Sequence, residues 1–169
     1  MTSRLTAVGS LSMSERLWIL RHGDAEPHGA KEDSLRELTA TGLEEAEAAG
    51  IALAKLGAPD VVLTSPRVRA QQTAAAAAAA FGGAPQVERS LNGGFRAADA
   101  TELLLRHPGQ SLLLVGHMPD LSLVIGELSG AMVGLRTGGL AELRGSGSSW
   151  DLVTLLRPRD TRAIAAANG

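Results

Sequence analysis

Leu17-Trp18-Ile19-Leu20-Arg21-His22-Gly23 runs four apolar residues straight into a guanidinium, an imidazole and a glycine. The apolar quartet, with charge before it and Gly23 closing the segment, has the length of a short buried strand. A strand that ends on Arg-His delivers two side chains suited to phosphorus chemistry. The imidazole can attack the phosphorus, and the guanidinium can hold the oxygens as charge moves over them. Alone the tripeptide arises easily by chance. Two further junctions of the same kind give it weight. Val61-Val62-Leu63 leads into Ser65-Pro66-Arg67-Val68-Arg69-Ala70-Gln71-Gln72-Thr73, and Leu112-Leu113-Leu114-Val115 leads into Gly116-His117-Met118-Pro119.

Between these strands the pattern turns helical. Asp24 to Glu37 is polar and carries Pro27 and Gly29, so it is expected to be loop. Thr41-Gly42-Leu43-Glu44 has the form of a capping box. Leu43, Ala46, Gly50, Leu53 and Ala54 then give a helical stripe ending near Gly57. Ser65 suits a helix N-cap and Pro66 the first helical position, which puts Arg69 in the first turn. That helix continues through seven consecutive alanines, 74 to 80, to Gly82-Gly83. The alanine run marks a close-packing helix rather than a binding element. Val87 fits a short edge strand, Asp99 to Arg106 a short helix, and Asp120 to Leu128 another. Ala141-Glu142-Leu143 and Trp150 to Leu156, joined by the Gly/Ser-rich 145–149, form a hairpin pattern. Strands alternating with helices predict an α/β sandwich with a mainly parallel sheet and an antiparallel C-terminal edge hairpin. Such sheets bind ligands beyond the carboxyl ends of their strands, where all three junctions lie.

Size and charge narrow the classes. A chain of 169 residues is most simply one domain with a real core. With 16 Lys and Arg against 18 Asp and Glu, no global basic field points to nucleic acid or an anionic membrane. Attraction for anions must be local, and Arg21, Arg36, Arg67 and Arg69 are the candidates. The absence of cysteine rules out disulfides, thiolate catalysis and cysteine metal sites. No apolar run approaches the ~20 residues of a bilayer span. Residues 1–14 form either a disordered leader or a start placed too early, Met13 being the alternative. The domain is expected over 15–157, a surface tail over 158–169, and the location in the cytoplasm.

The chain resembles the histidine phosphatase superfamily, and most of all its small phosphohistidine-phosphatase branch, the SixA type. The matching pieces are Arg21-His22-Gly23-Asp24-Ala25, then Asp33-Ser34-Leu35-Arg36-Glu37-Leu38-Thr39 with Gly42. Ser65-Pro66 with Arg69-Ala70 and Gln72-Thr73, and Gly116-His117, complete the set. They come in the family's order. The resemblance implies a three-layer, phosphoglycerate mutase-like fold and a metal-independent phosphatase acting through a phosphohistidine intermediate. It makes His22 the nucleophile, Arg21 and Arg69 the phosphoryl clamp, His117 a donor to the transferring group, and Arg36 a third, substrate-binding arginine. No cofactor is implied. The implied partner is a phosphorylated protein, such as a histidine phosphotransfer domain, or a small phosphate ester.

Chemistry of the residues agrees. A nucleophilic imidazole must be neutral, and neighbouring guanidiniums disfavour its protonated form. Guanidinium forks match phosphate geometry, and a helix N-terminus adds to the pull of Arg69 on an anion. Arginines would repel a cation, and two histidines without a carboxylate cluster make a poor hydrolytic metal site. Arg67 is expected to point elsewhere as a surface charge, and His28 and His107 to be incidental. One departure stands out. Many members of the superfamily carry an acid after this helix to protonate an alkoxide, yet residues 89–95 hold none. Asp24, Glu88 and Asp99 are the alternatives. Imidazole leaves more readily than an alkoxide, so the gap favours N–P cleavage. A small-molecule phosphomonoesterase and a non-catalytic phosphate-binding scaffold are the rival readings.

Overall fold

The computed structural model describes residues 14–167. In chain order these form β1 (Glu15–Arg21), α1 (Ala40–Leu56), β2 (Val61–Thr64), α2 (Val68–Ala78), β3 (Gln86–Val87) and α3 (Ala97–Arg106). β4 (Leu112–Gly116), α4 (Asp120–Ser129), β5 (Leu140–Ser146), β6 (Ser149–Leu156) and α5 (Pro158–Ala166) follow. Short 3-10 turns at Asp33–Leu35 and Arg89–Asn92 interrupt the loops. The six strands make one sheet in the order β3-β2-β4-β1-β5-β6. β3, β2, β4 and β1 are parallel, and β5 and β6 close the other edge antiparallel, the architecture expected from the sequence.

Both faces of the sheet are covered, so its central strands are apolar at every position rather than at alternate ones. Leu17, Ile19, Leu112 and Leu114 face the layer that carries Leu103, Leu104, Leu121, Val124 and Ile125 of α3 and α4. Trp18, Leu20, Leu113 and Val115 face Ala49 and Leu53 of α1 and Ala70, Ala74 and Ala77 of α2. Alanine serves that second layer because the two helices lie close together. A Cβ on Gly50 would sit 2.2 Å from the carbonyl oxygen of Ala77. Of the alanine run, Ala74, Ala77 and Ala78 lie on the buried face of α2, which ends at Ala78.

Three local expectations need correction. The N-cap of α1 is Thr39, whose Oγ1 accepts the Gly42 backbone N–H at 3.1 Å, and Thr41 lies inside the helix. α2 starts at Val68 rather than at Pro66, with Arg67, still extended, at its N-cap. Residues 158–166, expected as tail, form α5, packed on α1. Pro158 opens that helix, Asp160 accepts the Arg157 backbone N–H at 2.8 Å, and Thr161 is fully buried. The expectation for the leader concerns residues outside those described, apart from Ser14. Among the described residues no helix is long and apolar enough to cross a membrane.

Candidate active site

β2, β4 and β1 are neighbours in the sheet, with β4 in the middle, so their carboxyl ends open onto one place. The ladder reaches just past the strands. His22 N–H donates to Gly116 C=O at 3.1 Å, and Ser65 N–H donates to Val115 C=O at 3.0 Å. Beyond them lies a cleft of about 420 Å³, and Arg21, His22, Arg36, Arg69 and His117 all line it. Five residues that lie far apart in sequence, from Arg21 to His117, therefore share one cavity.

His22 is buried, and its Nδ1 lies 2.7 Å from the carbonyl oxygen of Gly23. A carbonyl can only accept, so Nδ1 carries the proton and Nε2 keeps its lone pair. Burial, reinforced by the guanidiniums of Arg69, Arg21 and Arg36, pushes this ring down to about 4 against the opposing pull of the Gly23 carbonyl. The turn that holds it is tight. A Cβ on Gly23 would meet the Gly42 carbonyl oxygen at 2.3 Å, and one on Gly42 would meet Asp24 oxygen at 1.9 Å. Only two glycines let the loop sit directly on the first turn of α1. Thr73 Oγ1 accepts the Gly23 N–H at 3.1 Å, and the buried carboxylate of Glu45 accepts the Asp24 N–H at 2.9 Å.

His117 faces His22 with ring centroids 5.2 Å apart. Burial first, then the charges of His22, Arg67 and Arg69, push it down to about 3. Its Nε2 lies 2.7 Å from Ser65 Oγ, and its Nδ1 is buried without a partner.

The arginines meet on a carboxylate that the sequence reading passed over. Asp33 Oδ1 accepts Arg36 Nε at 3.0 Å and Nη2 at 2.9 Å, and Oδ2 pairs with Arg67 Nη1 at 3.2 Å and Arg69 Nη2 at 3.3 Å. The Asp33 carbonyl accepts Arg69 Nη1 at 2.7 Å. Partial burial works to raise the Asp33 carboxyl, yet the Arg36 hydrogen bond and the Arg69 charge outweigh it and hold it below its ordinary range. Arg36 and Asp33 stand three residues apart on a 3-10 turn, a spacing visible in the sequence but not informative without the partners from α2. Arg21 is held separately, with Nη1 donating to Leu135 C=O at 2.8 Å. Arg21 Nε and Arg69 Nε are buried N–H groups without acceptors among the described residues. An oxyanion in the cleft supplies what such donors lack.

Arg67 departs from expectation. Rather than pointing away, it lines the cleft, donating to Asn92 Oδ1 at 3.0 Å and pairing with Asp33. It stands just before α2, where the chain is still extended, so helical spacing does not govern its direction. His28 also lies on the rim, exposed. Of the three possible acids, Glu88 caps the turn at Ser90 and pairs with Arg106, and Asp99 accepts the Arg96 N–H. Asp24 alone of the three lines the cleft, its Oδ2 accepting Thr39 Oγ1 at 2.7 Å. Among the described residues no three His, Cys, Asp or Glu side chains are grouped as a metal site requires.

The family model of the histidine phosphatase superfamily (branch 1) matches residues 17–93. No curated protein matches the sequence. Among solved structures, the chain is similar to a protein of Agrobacterium tumefaciens assigned as the phosphohistidine phosphatase SixA. That match is 27% identical with a TM-score of 0.72 and covers 85% of this chain and 99% of the other. A protein of Nakamurella multipartitia with the same assignment is also 27% identical, with a TM-score of 0.74, 86% of this chain and 96% of the other. An Escherichia coli protein assigned as an alpha-ribazole-5'-P phosphatase shares the fold at 21% identity and a TM-score of 0.71, over 83% and 95% of the two chains.

Proposed function

We propose that this chain, a phosphatase of the histidine phosphatase superfamily, works through His22 on protein-borne phosphohistidine. The observation that carries this reading is the His22 ring. Its Nδ1–H is committed to Gly23 at 2.7 Å, and burial keeps the ring neutral far below pH 7, so Nε2 is a standing nucleophile.

Nε2 attacks phosphorus, and the bond to the leaving group breaks with its electron pair. The phosphoryl group then rests on Nε2. Water attacks it in a second step, gives up a proton to solvent, and releases inorganic phosphate and the original ring. Arg21, Arg69 and Arg36 hold the oxygens while their charge is redistributed, and His117 donates a hydrogen bond to them. The guanidiniums supply this charge without a metal. A phosphoimidazole protonated on its second nitrogen departs as neutral imidazole and asks for no acid from the enzyme. This reading puts the enzyme in the cytoplasm, with the ATP-dependent kinases that phosphorylate histidine, and gives it a place in signal transduction.

Asp24 in the cleft favours a second reading, a small-molecule phosphomonoesterase with Asp24 as its acid. A leaving-group series separates the two. Phosphoramidate and p-nitrophenyl phosphate should turn over far faster than glycerol phosphate, with or without a chelator. A positioned acid would supply about 10²–10⁴-fold and flatten that dependence. Equal kcat/KM on aryl and alkyl esters, abolished in Asp24→Asn, would replace the first reading with the second.

A further inference from the structure

We propose that Ser65 is a positioning residue whose hydroxyl fixes His117 in the tautomer that carries its proton on Nδ1. The proposal rests on reading His117 as the donor to the phosphoryl group. Ser65 is fully buried at the end of β2, beside β4, the strand that delivers His117. Its Oγ accepts the Arg67 backbone N–H at 3.3 Å and lies 2.7 Å from His117 Nε2.

A hydroxyl owns one proton and two lone pairs. Arg67 N–H takes one lone pair, and among the described residues the one acceptor within reach of the Ser65 proton is Nε2. Buried polar hydrogens are almost always donated, so the proton goes to Nε2. A neutral imidazole carries a single N–H, and with Nε2 accepting, that N–H is on Nδ1. Nδ1 is the buried atom of His117 that lacks a partner. It thereby becomes a donor in need of an acceptor, on a residue that lines the cleft. The opposite tautomer strands the Ser65 proton and turns a lone pair of Nδ1 toward any phosphoryl oxygen that approaches it. Ser65 thus does for His117 what the Gly23 carbonyl does for His22, with the sense reversed. One ring is left with a free lone pair, the other with a free N–H.

Long-range 1H–15N correlation spectra of histidine-labelled protein at pH 7 test this directly, with His117→Ala assigning the signals. Wild type should show a protonated Nδ1 and an unprotonated Nε2 on His117. Ser65→Ala should release the ring into exchange between tautomers. It should also lower kcat for p-nitrophenyl phosphate about tenfold or more, as loss of an orienting partner does, while KM changes less than about threefold. Ser65→Thr keeps a hydroxyl and should restore both the tautomer and kcat. In a His117→Ala background Ser65→Ala should cost nothing further, because it acts through that ring. A protonated Nε2 in wild type overturns the proposal, as does an equal loss from Ser65→Ala in both backgrounds. The wild-type spectrum decides even if Ser65→Ala does not fold. Protonated Nδ1 in a protein without turnover would sink the reaction reading and leave the tautomer standing.

Discussion

At the scale of single residues, the site works by forcing like charges together around a few fixed acceptors. Arg69 is almost fully buried and is held from both its terminal nitrogens by Asp33, so its direction is set before any ligand arrives. On the proposed mechanism Arg69 and His117 each supply one preorganised donor, so Arg69→Ala and His117→Ala should each cut kcat about 10²-fold or more. Arg67→Ala loses an outer contact to Asp33 and Asn92 and should cost less, about tenfold. Steady-state rates on p-nitrophenyl phosphate check the order, and a reversed ranking would contradict the clamp. The same crowding sets the histidine charge states. An unfolded histidine titrates near 6.5 and His22 near 4, so between those values the unfolded chain holds more protons than the folded one. Folded-state stability is therefore lost as pH falls through that window, and His22 stays neutral throughout the physiological range. An NMR titration of His22 should give a midpoint near 4. A midpoint at the ordinary histidine value would mean the cleft does not suppress its charge. Asp33 was illegible from sequence because an acidic residue in a polar loop looks solvated until the arginines that meet it are placed.

At the scale of elements, the strands were legible because burial on both sheet faces leaves continuous apolar runs, and Leu17–Leu20 and Leu112–Val115 could be little else. Caps were harder. Thr39 and Thr41 both precede Leu43, and only the contact between Gly42 and the loop at Asp24 settles where α1 begins. α5 was missed because its exposed side is rich in Arg and Ala, although Pro158 and Asp160 are a readable helix start. The α1–α2 contact yields a prediction in which two effects oppose. Gly50→Ala gains about 1 kcal/mol of helix propensity. The added Cβ, 2.2 Å from Ala77 oxygen, must push the helices apart, an overpacking cost of about 1–3 kcal/mol. Clash should win, and Tm should fall. A raised Tm would mean the helices are not in close contact there.

At the scale of the whole molecule, the sheet order matters more than any one motif. Placing β4 between β1 and β2 brings both histidines and the start of α2 to one opening, and the sequence alone could say only that three strand ends carried the right residues. His22, Arg21, Arg69, His117 and Arg36 all line one cleft, and covalent transfer to His22 is the central step proposed for it. The most direct measurement is a rapid quench during turnover of p-nitrophenyl phosphate. The quench is made in base, where phosphohistidine survives, and peptide mass spectrometry follows. One phosphoryl group should be found on the peptide that carries His22, and none in His22→Ala. Undiminished turnover in His22→Ala, or a phosphoryl group found on His117 instead, would contradict covalent transfer to His22.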